Sequence, residues 1–208
     1  MVKEQQIGLL GGTFDPIHYG HITLAIELME AHSLDEVWLC PAHQNPHKKD
    51  AVITPADHRF KMVQLAVEPI PGFHAIDIEV RRKGPSYTID TLEVLINEEK
   101  KLPSSPRRRF SLMLGDDAVV ALPQWHRFQD IVALVPLLVG QRKGLCDTSF
   151  LRGYPEVYKA VLDGLTPTSF MEISATDLRE RIRHGRYCGH LVPGKVLDYI
   201  TEHRIYLS

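Results

Sequence analysis

The chain is short of cysteine, of long apolar runs and of net charge, and each shortage closes off a class of protein. Only Cys40, Cys146 and Cys188 occur in 208 residues. They are odd in number and lack metal-ligand spacing, which argues against a disulfide framework or a zinc module and predicts reduced thiols in a cytoplasmic protein. No apolar stretch reaches the roughly 20 residues that a membrane-spanning helix needs. Residues 1–6 lack the apolar core of a secretory signal. We therefore expect no membrane partner. The 24 Lys+Arg and 26 Asp+Glu leave a formal net charge of −2. No global positive field recruits nucleic acid, so an anionic substrate has to be met by local cations. Repeats and linker-like stretches are missing too, and a 44% hydrophobic content suffices for one core. One domain over residues 1–208 is the expectation.

What is present is an alternation. Residues 7–10, 36–40, 75–80, 110–114 and 134–139 read as strands. Pro136 suggests an early or edge position in the last of these. Residues 19–31, 56–68 and 87–100 read as amphipathic helices, the second entered through Thr54-Pro55. Strands alternating with helices predict an α/β fold with a doubly wound parallel sheet. From residue 174 onward the pattern is helical, with helices at 175–184 and 193–203 around a turn at Gly185, a small C-terminal helical unit over about 174–208. Residues 97–109 read as a polar, basic loop, and 140–155 as a second glycine-containing loop.

The densest chemistry lies at the first strand-to-helix turn, Gly11-Gly12-Thr13-Phe14-Asp15-Pro16-Ile17-His18-Tyr19-Gly20-His21. Glycines at such a turn let the backbone approach a phosphate, and the helix's first N–H groups favour an anion. The turn lacks the Gly-Lys-Ser/Thr of a P-loop and the spaced glycines of a dinucleotide fingerprint. His18 and His21 share one face of a helical turn. Two imidazoles there can donate hydrogen bonds to a phosphate whose charge is changing. A tight turn with two surface histidines is the plainer reading. A metal pair lacks a nearby carboxylate or thiol to complete it. Toward the C-terminus, Ile173-Ser174-Ala175-Thr176-Asp177-Leu178-Arg179 sets a capping serine, hydroxyls and a guanidinium at a helix start, a second anion-binding pattern.

The two segments together resemble the His-x-Gly-His and Ile-Ser-Ser-Thr-x-Ile-Arg signatures of the nucleotidyltransferase superfamily. In detail the chain resembles the bacterial nicotinate-nucleotide adenylyltransferases over essentially its whole length. The resemblance implies a Rossmann-like sheet and transfer of the adenylyl group of ATP to nicotinate mononucleotide, forming nicotinate adenine dinucleotide and pyrophosphate in NAD biosynthesis. It implies Mg²⁺ carried by the ATP phosphates, with no dedicated metal cage of protein ligands. His18 and His21 would be catalytic. Gly11, Gly12, Thr13, Phe14, Ser174, Thr176 and Arg179 would meet ATP, with Arg179 as the phosphate clamp. Ala175 and Leu178 depart from the pattern, and no role passes to Ala175. Arg142 falls where the family has an arginine near adenosine, although Lys143-Gly144 replaces the family's Pro-Gly.

Three further segments match the acceptor side of the family. Pro46-His47-Lys48 resembles its Pro-His-Lys element, which implies phosphate contacts for His47 and Lys48. Ser86-Tyr87-Thr88 opens a helix whose amides near Tyr87 and Thr88 would receive the pyridine carboxylate, with Ser86 a candidate cap. Such a site favours the acid over the amide. Asp117 matches an aspartate near ribose hydroxyls. Trp125 matches a tryptophan that stacks on the nicotinate ring. A sister adenylyltransferase such as the pantetheine-phosphate type, an enzyme preferring nicotinamide mononucleotide, and a nucleotide sensor without turnover stay open, as does a homo-oligomer.

Overall fold

The alternating pattern becomes six strands and nine helices in the computed structural model, which describes residues 4–47, 53–102, 107–141, 148–169, 171 and 173–207. The strands are β1 (Gln5–Gly12), β2 (Glu36–Pro41), β3 (Phe73–Ala75), β4 (Arg108–Gly115), β5 (Leu137–Gln141) and β6 (Leu165–Pro167). Helices α1 (Tyr19–Ala31), α2 (Ala56–Val67), α3 (Ile78–Arg82), α4 (Thr88–Lys101) and α5 (Asp116–Ala121) are followed by α6 (Phe128–Leu134), α7 (Pro155–Gly164), α8 (Ala175–Arg183) and α9 (Gly194–Glu202). The sheet runs in the order β3-β2-β1-β4-β5-β6. The pairs β1–β4, β4–β5 and β5–β6 are parallel, with Ile7 opposite Phe110 and Leu112 opposite Leu137. That is a Rossmann-like, doubly wound α/β sheet, as expected. Winding reverses after β3, and ligands of such sheets sit at the strand carboxyl ends beside the reversal. The loop after β1 leaves from such an end.

Two compact units divide the described chain. One holds residues from 1–10, 24–38 and 87–170. Its strands β4 and β5 are buried almost continuously, through Phe110, Leu112, Met113, Leu114, Leu137, Leu138 and Val139. Near-continuous apolar runs mark parallel strands covered on both faces. Val119, Ile131, Val157 and Val161 of the flanking helices complete this core. The other unit holds residues from 11–23, 39–86 and 171–208. There α2 packs on α9, bringing Met62, Val63 and Ala66 into one buried cluster with Val196 and Ile200. At about 25 cal/mol per Å² of apolar area, such contacts dominate the stability of both units.

Several expectations need correction. Residues 75–80 do not form one strand. β3 ends at Ala75, and α3 closes because Asp77 accepts the Arg81 N–H at 2.8 Å and holds the Arg81 guanidinium at 2.6 Å. The strand expected at 134–139 starts later. Leu134 ends α6, and Pro136 stands just before β5, where its carbonyl accepts the Leu112 N–H. β5 is an interior strand, so the proline marks its entry. Residues 97–109 are only partly loop. α4 continues to Lys101, and Arg108 lies in β4 with its guanidinium 5.2 Å from the Trp38 ring centre. Helices α5, α6 and α7 and strand β6 are additional to the elements that the sequence pattern predicts.

Candidate active site

The loop after β1 is shaped by Phe14. Its ring is 2% exposed and fills the space over Gly12, where a Cβ would lie 2.8 Å from the ring. Gly12 thus makes room for Phe14. A Cβ at Gly11 would meet nothing within 4 Å, so Gly11 leaves open backbone surface. Phe14 turns its ring edge-on to His21 at 5.0 Å between centres. His18 and His21 stack with centres 3.7 Å apart and planes 24° from parallel. His18 is buried and His21 half-buried. The His18 N–H donates to Nδ1 of His21 at 3.3 Å, so a neutral His21 carries its proton on Nε2. A Cβ at Gly20 would sit 3.1 Å from Nδ1 of His18, tight enough to disturb the pair. Their i, i+3 spacing predicts one shared helical face, and the two rings stack. The start of α1 is less open than expected, because the Tyr19 N–H donates to the Leu191 carbonyl at 2.9 Å.

The loop after β2 is tied to the loop after β1. Ala42 N–H donates to the Gly12 carbonyl, and Asn45 Nδ2 to the Thr13 hydroxyl at 3.1 Å. His47 is exposed, with its N–H on the Asn45 side-chain oxygen. Lys48 and Arg142 lie outside the described residues. Beneath both loops sits Arg59, only 1% exposed. Its Nε donates to the Thr54 carbonyl at 2.7 Å, Nη1 to Thr13 at 2.7 Å and Nη2 to His43 at 2.9 Å. Burial pulls its pKa below the ordinary arginine value, and the charge of Asp15 works the other way. Asp15 is itself 6% exposed. Its carboxylate accepts the Tyr206 hydroxyl and the Thr54 N–H. Burial, and then the Asp15 charge, push the Tyr206 phenol upward, which keeps it a proton donor.

α8 joins the same unit. The Ser174 hydroxyl caps it by accepting the Asp177 N–H at 3.3 Å. Arg179 donates from Nη1 to the Asp15 carbonyl at 2.8 Å and from Nη2 to the Thr176 hydroxyl at 3.2 Å. The expected phosphate clamp is thereby attached to the histidine loop. Gly11, Gly12, Thr13, Phe14, His18, His21, His47, Ser174, Thr176 and Arg179 all fall in this unit.

Tyr87, Thr88, Asp117 and Trp125 fall in the other unit. Tyr87 precedes the first residue of α4, Thr88, and no side chain caps that helix among the described residues. The expected cap, Ser86, is occupied elsewhere: its hydroxyl accepts the His43 N–H at 2.9 Å. Trp125 ends a short 3₁₀ turn, Leu122–Gln124, and is half-buried. The next residue, His126, packs its ring 4.7 Å from that of Tyr87. Arg127, at φ 53°, binds both Glu93 of α4 and Asp130 of α6. Tyr87 and the Trp125 segment are thus brought together. Asp117 is exposed at the start of α5, its N–H on the Asp116 carboxylate.

No sequence motif assigns a role to Asp15, Arg59, Tyr206 or His126. Arg59 left a signal, since it lies on the α2 face that also carries the buried Met62, Val63 and Ala66. A cation on an apolar helical face has to find partners inside. Tyr206 left none, because its partner is 191 residues away.

A family model described as cytidylyltransferase-like matches residues 9–181. A protein of Oceanobacillus iheyensis named a probable nicotinate-nucleotide adenylyltransferase is 37% identical over 202 residues, covering 97% of each chain. One of Dehalococcoides mccartyi with the same name is 41% identical, covering 96% of each. Among solved structures, Plasmodium falciparum nicotinic acid mononucleotide adenylyltransferase complexed with NaAD superposes with a TM-score of 0.74 at 17% identity, covering 98% of both chains. At that identity the last likeness speaks for the fold alone.

Proposed function

Since the chain belongs to the cytidylyltransferase-like family, and within it to the nicotinate-nucleotide adenylyltransferases, we propose that it transfers the adenylyl group of ATP to nicotinate mononucleotide, releasing pyrophosphate and forming nicotinate adenine dinucleotide for NAD biosynthesis. The observation that carries this reading at the level of chemistry is the stacked His18–His21 pair at the carboxyl end of β1. The mononucleotide's 5′-phosphate attacks the α-phosphorus in line, and the bond to pyrophosphate breaks. No protein nucleophile is needed, so catalysis rests on positioning and on charge stabilisation. His18 orients the phosphates, and His21 donates to the bridging region where charge builds. Ser174, Thr176 and Arg179 receive the β- and γ-phosphates, Arg179 through the N–H donors not already given to Asp15 and Thr176. Gly11, Gly12, Thr13 and Phe14 line the nucleotide, and Arg142 serves the adenosine end.

On the acceptor side, His47 and Lys48 meet the mononucleotide phosphate. The amides near Tyr87 and Thr88 receive the pyridine carboxylate, Trp125 stacks on the ring and Asp117 meets ribose hydroxyls. Among the described residues, no three His, Cys, Asp or Glu side chains gather as a metal cage. The buried Asp15 carboxylate is spent on Tyr206 and Thr54. A Mg²⁺ ion would be held through the ATP phosphates that His18 and Arg179 orient, and would supply charge neutralisation there. Among the described residues no helix is long and apolar enough to cross a membrane, and we place the activity in the cytoplasm. The test is pyrophosphate release from ATP and Mg²⁺ with nicotinate and nicotinamide mononucleotides in parallel. Much faster release with the acid is expected. Equal rates would remove the Tyr87–Thr88 account of selectivity, and no release with either from folded protein would remove the reaction.

A further inference from the structure

The histidine loop has one residue bound from two directions. Asp15 stands three positions before His18 and is 6% exposed. A buried carboxylate persists only where its oxygens are met by donors. One oxygen takes the Tyr206 hydroxyl and the other the Thr54 N–H at 3.4 Å, while the carbonyl of the same residue takes Nη1 of Arg179 at 2.8 Å. The turn that delivers Tyr206 is itself constrained. Arg204 and Tyr206 both have left-handed backbone, at φ 53° and 64°, which non-glycine residues rarely adopt. Between them Ile205 is buried and donates its N–H to the Ile200 carbonyl at 2.9 Å. Strain of this kind survives where the surroundings over-determine it. Here it aims one phenol at one carboxylate.

From this geometry we infer that Tyr206 is a positioning residue for nucleotidyl transfer: acting through Asp15, it sets the loop that carries His18 in register with the Arg179 clamp. The inference rests on the adenylyl-transfer reading. It gives Tyr206 no contact with substrate. Its hydroxyl fixes the Asp15 carboxylate, the Asp15 carbonyl fixes Arg179, and the backbone from Asp15 to His18 passes the position on to the histidine pair. Both ATP-facing groups therefore depend on a side chain from the turn after α9. On the acceptor side, His47 shares the compact unit of Tyr206, whereas Tyr87, Thr88 and Trp125, which would hold the pyridine ring, belong to the other.

The test is Tyr206→Phe in the full chain, which keeps the ring and deletes only the hydroxyl. Steady-state kinetics with Mg²⁺-ATP and nicotinate mononucleotide would be run well below the variant's melting temperature. We expect KM for ATP to rise and kcat to fall, with kcat/KM for ATP reduced about 30- to 100-fold, the scale of a displacement near 1 Å. KM for the mononucleotide should rise less than KM for ATP, because the ring-binding Tyr87, Thr88 and Trp125 lie in the other unit. A merely structural hydroxyl would lower the active fraction and leave both KM values alone, and that result overturns the inference, as do unchanged kinetics. Asp15→Ala, which removes the acceptor, and the double variant supply a second arm. If Tyr206 acts through Asp15, the double variant is no worse than Asp15→Ala alone, whereas additive losses refute the route. Wild-type protein that makes no pyrophosphate would instead refute the adenylyl-transfer reading.

Discussion

Replacing Arg59 by Met removes a charge from the interior while nearly keeping its volume, and the structure says what that costs. Three carbonyls, of Thr13, His43 and Thr54, lose donors that stand 2.7–2.9 Å away. Each bond from a charged donor contributes about 1.5–3 kcal/mol. Desolvation of the guanidinium opposes that sum, as the downward shift of its pKa reflects. Removing one partner from a buried charged cluster costs about 3–5 kcal/mol, and the buried Asp15 carboxylate loses one of its nearby positive charges. For a chain of this size, about 1 kcal/mol moves the melting temperature by about 2–4 °C, so melting should fall by about 6–20 °C. The assay is urea unfolding followed by far-UV circular dichroism, with the midpoint and the slope fitted separately. Arg59→Lys should recover only part of the loss, because one ammonium cannot serve three carbonyls that lie in different directions. A loss below about 1 kcal/mol in Arg59→Met, with the slope unchanged, would refute the account of Arg59 as the fastener of the two loops.

Two other outcomes are expected. His18→Ala should lower turnover at saturating substrate on the order of 100-fold while the protein stays folded, as when one charge-stabilising donor is removed. A loss below about tenfold in the pyrophosphate assay would leave the histidine pair without a part in the chemistry. Cys40 gives a pH signature. Burial, and next the Glu79 charge, push its thiol above the ordinary 9.0. The unfolded chain then gives up this proton first, so the contribution is whole below about pH 9 and declines as pH rises beyond it. Urea midpoints measured from pH 8 to 10 should fall in the wild type and fall less in Cys40→Ala. Equal slopes would show that the thiol takes no part.

Periodic local pattern was the legible part of this chain. α1 spans residues 19–31 as read, and the C-terminal pair α8 and α9 lies within a residue or so of its expected bounds. Ser174 caps α8 as its position suggested. Patterns with two readings misled. Ile76, Ile78 and Val80 alternate like a strand, but the Asp77–Arg81 pair closes a helical turn through them. The Pro136 stretch runs helix into strand without a polar break, which hid the end of α6. In the candidate site, motif residues were legible because they are contiguous. The residues that hold them were not, because Ser86 serves His43 and Tyr206 serves Asp15 across stretches of chain that no local pattern spans.

The bond between Asp15 and Tyr206 also bears on how the protein is made. A chain emerging from the ribosome carries His18 and His21 early, while the phenol that braces their loop arrives 191 residues after Asp15. Contacts of such separation form late, since the entropy of closing the intervening loop must be met before they return anything. Until Tyr206 has been added, the nascent polypeptide therefore has the two imidazoles without the phenol that holds Asp15. On the positioning role inferred for Tyr206, molecules halted before that residue would be inert rather than partly active.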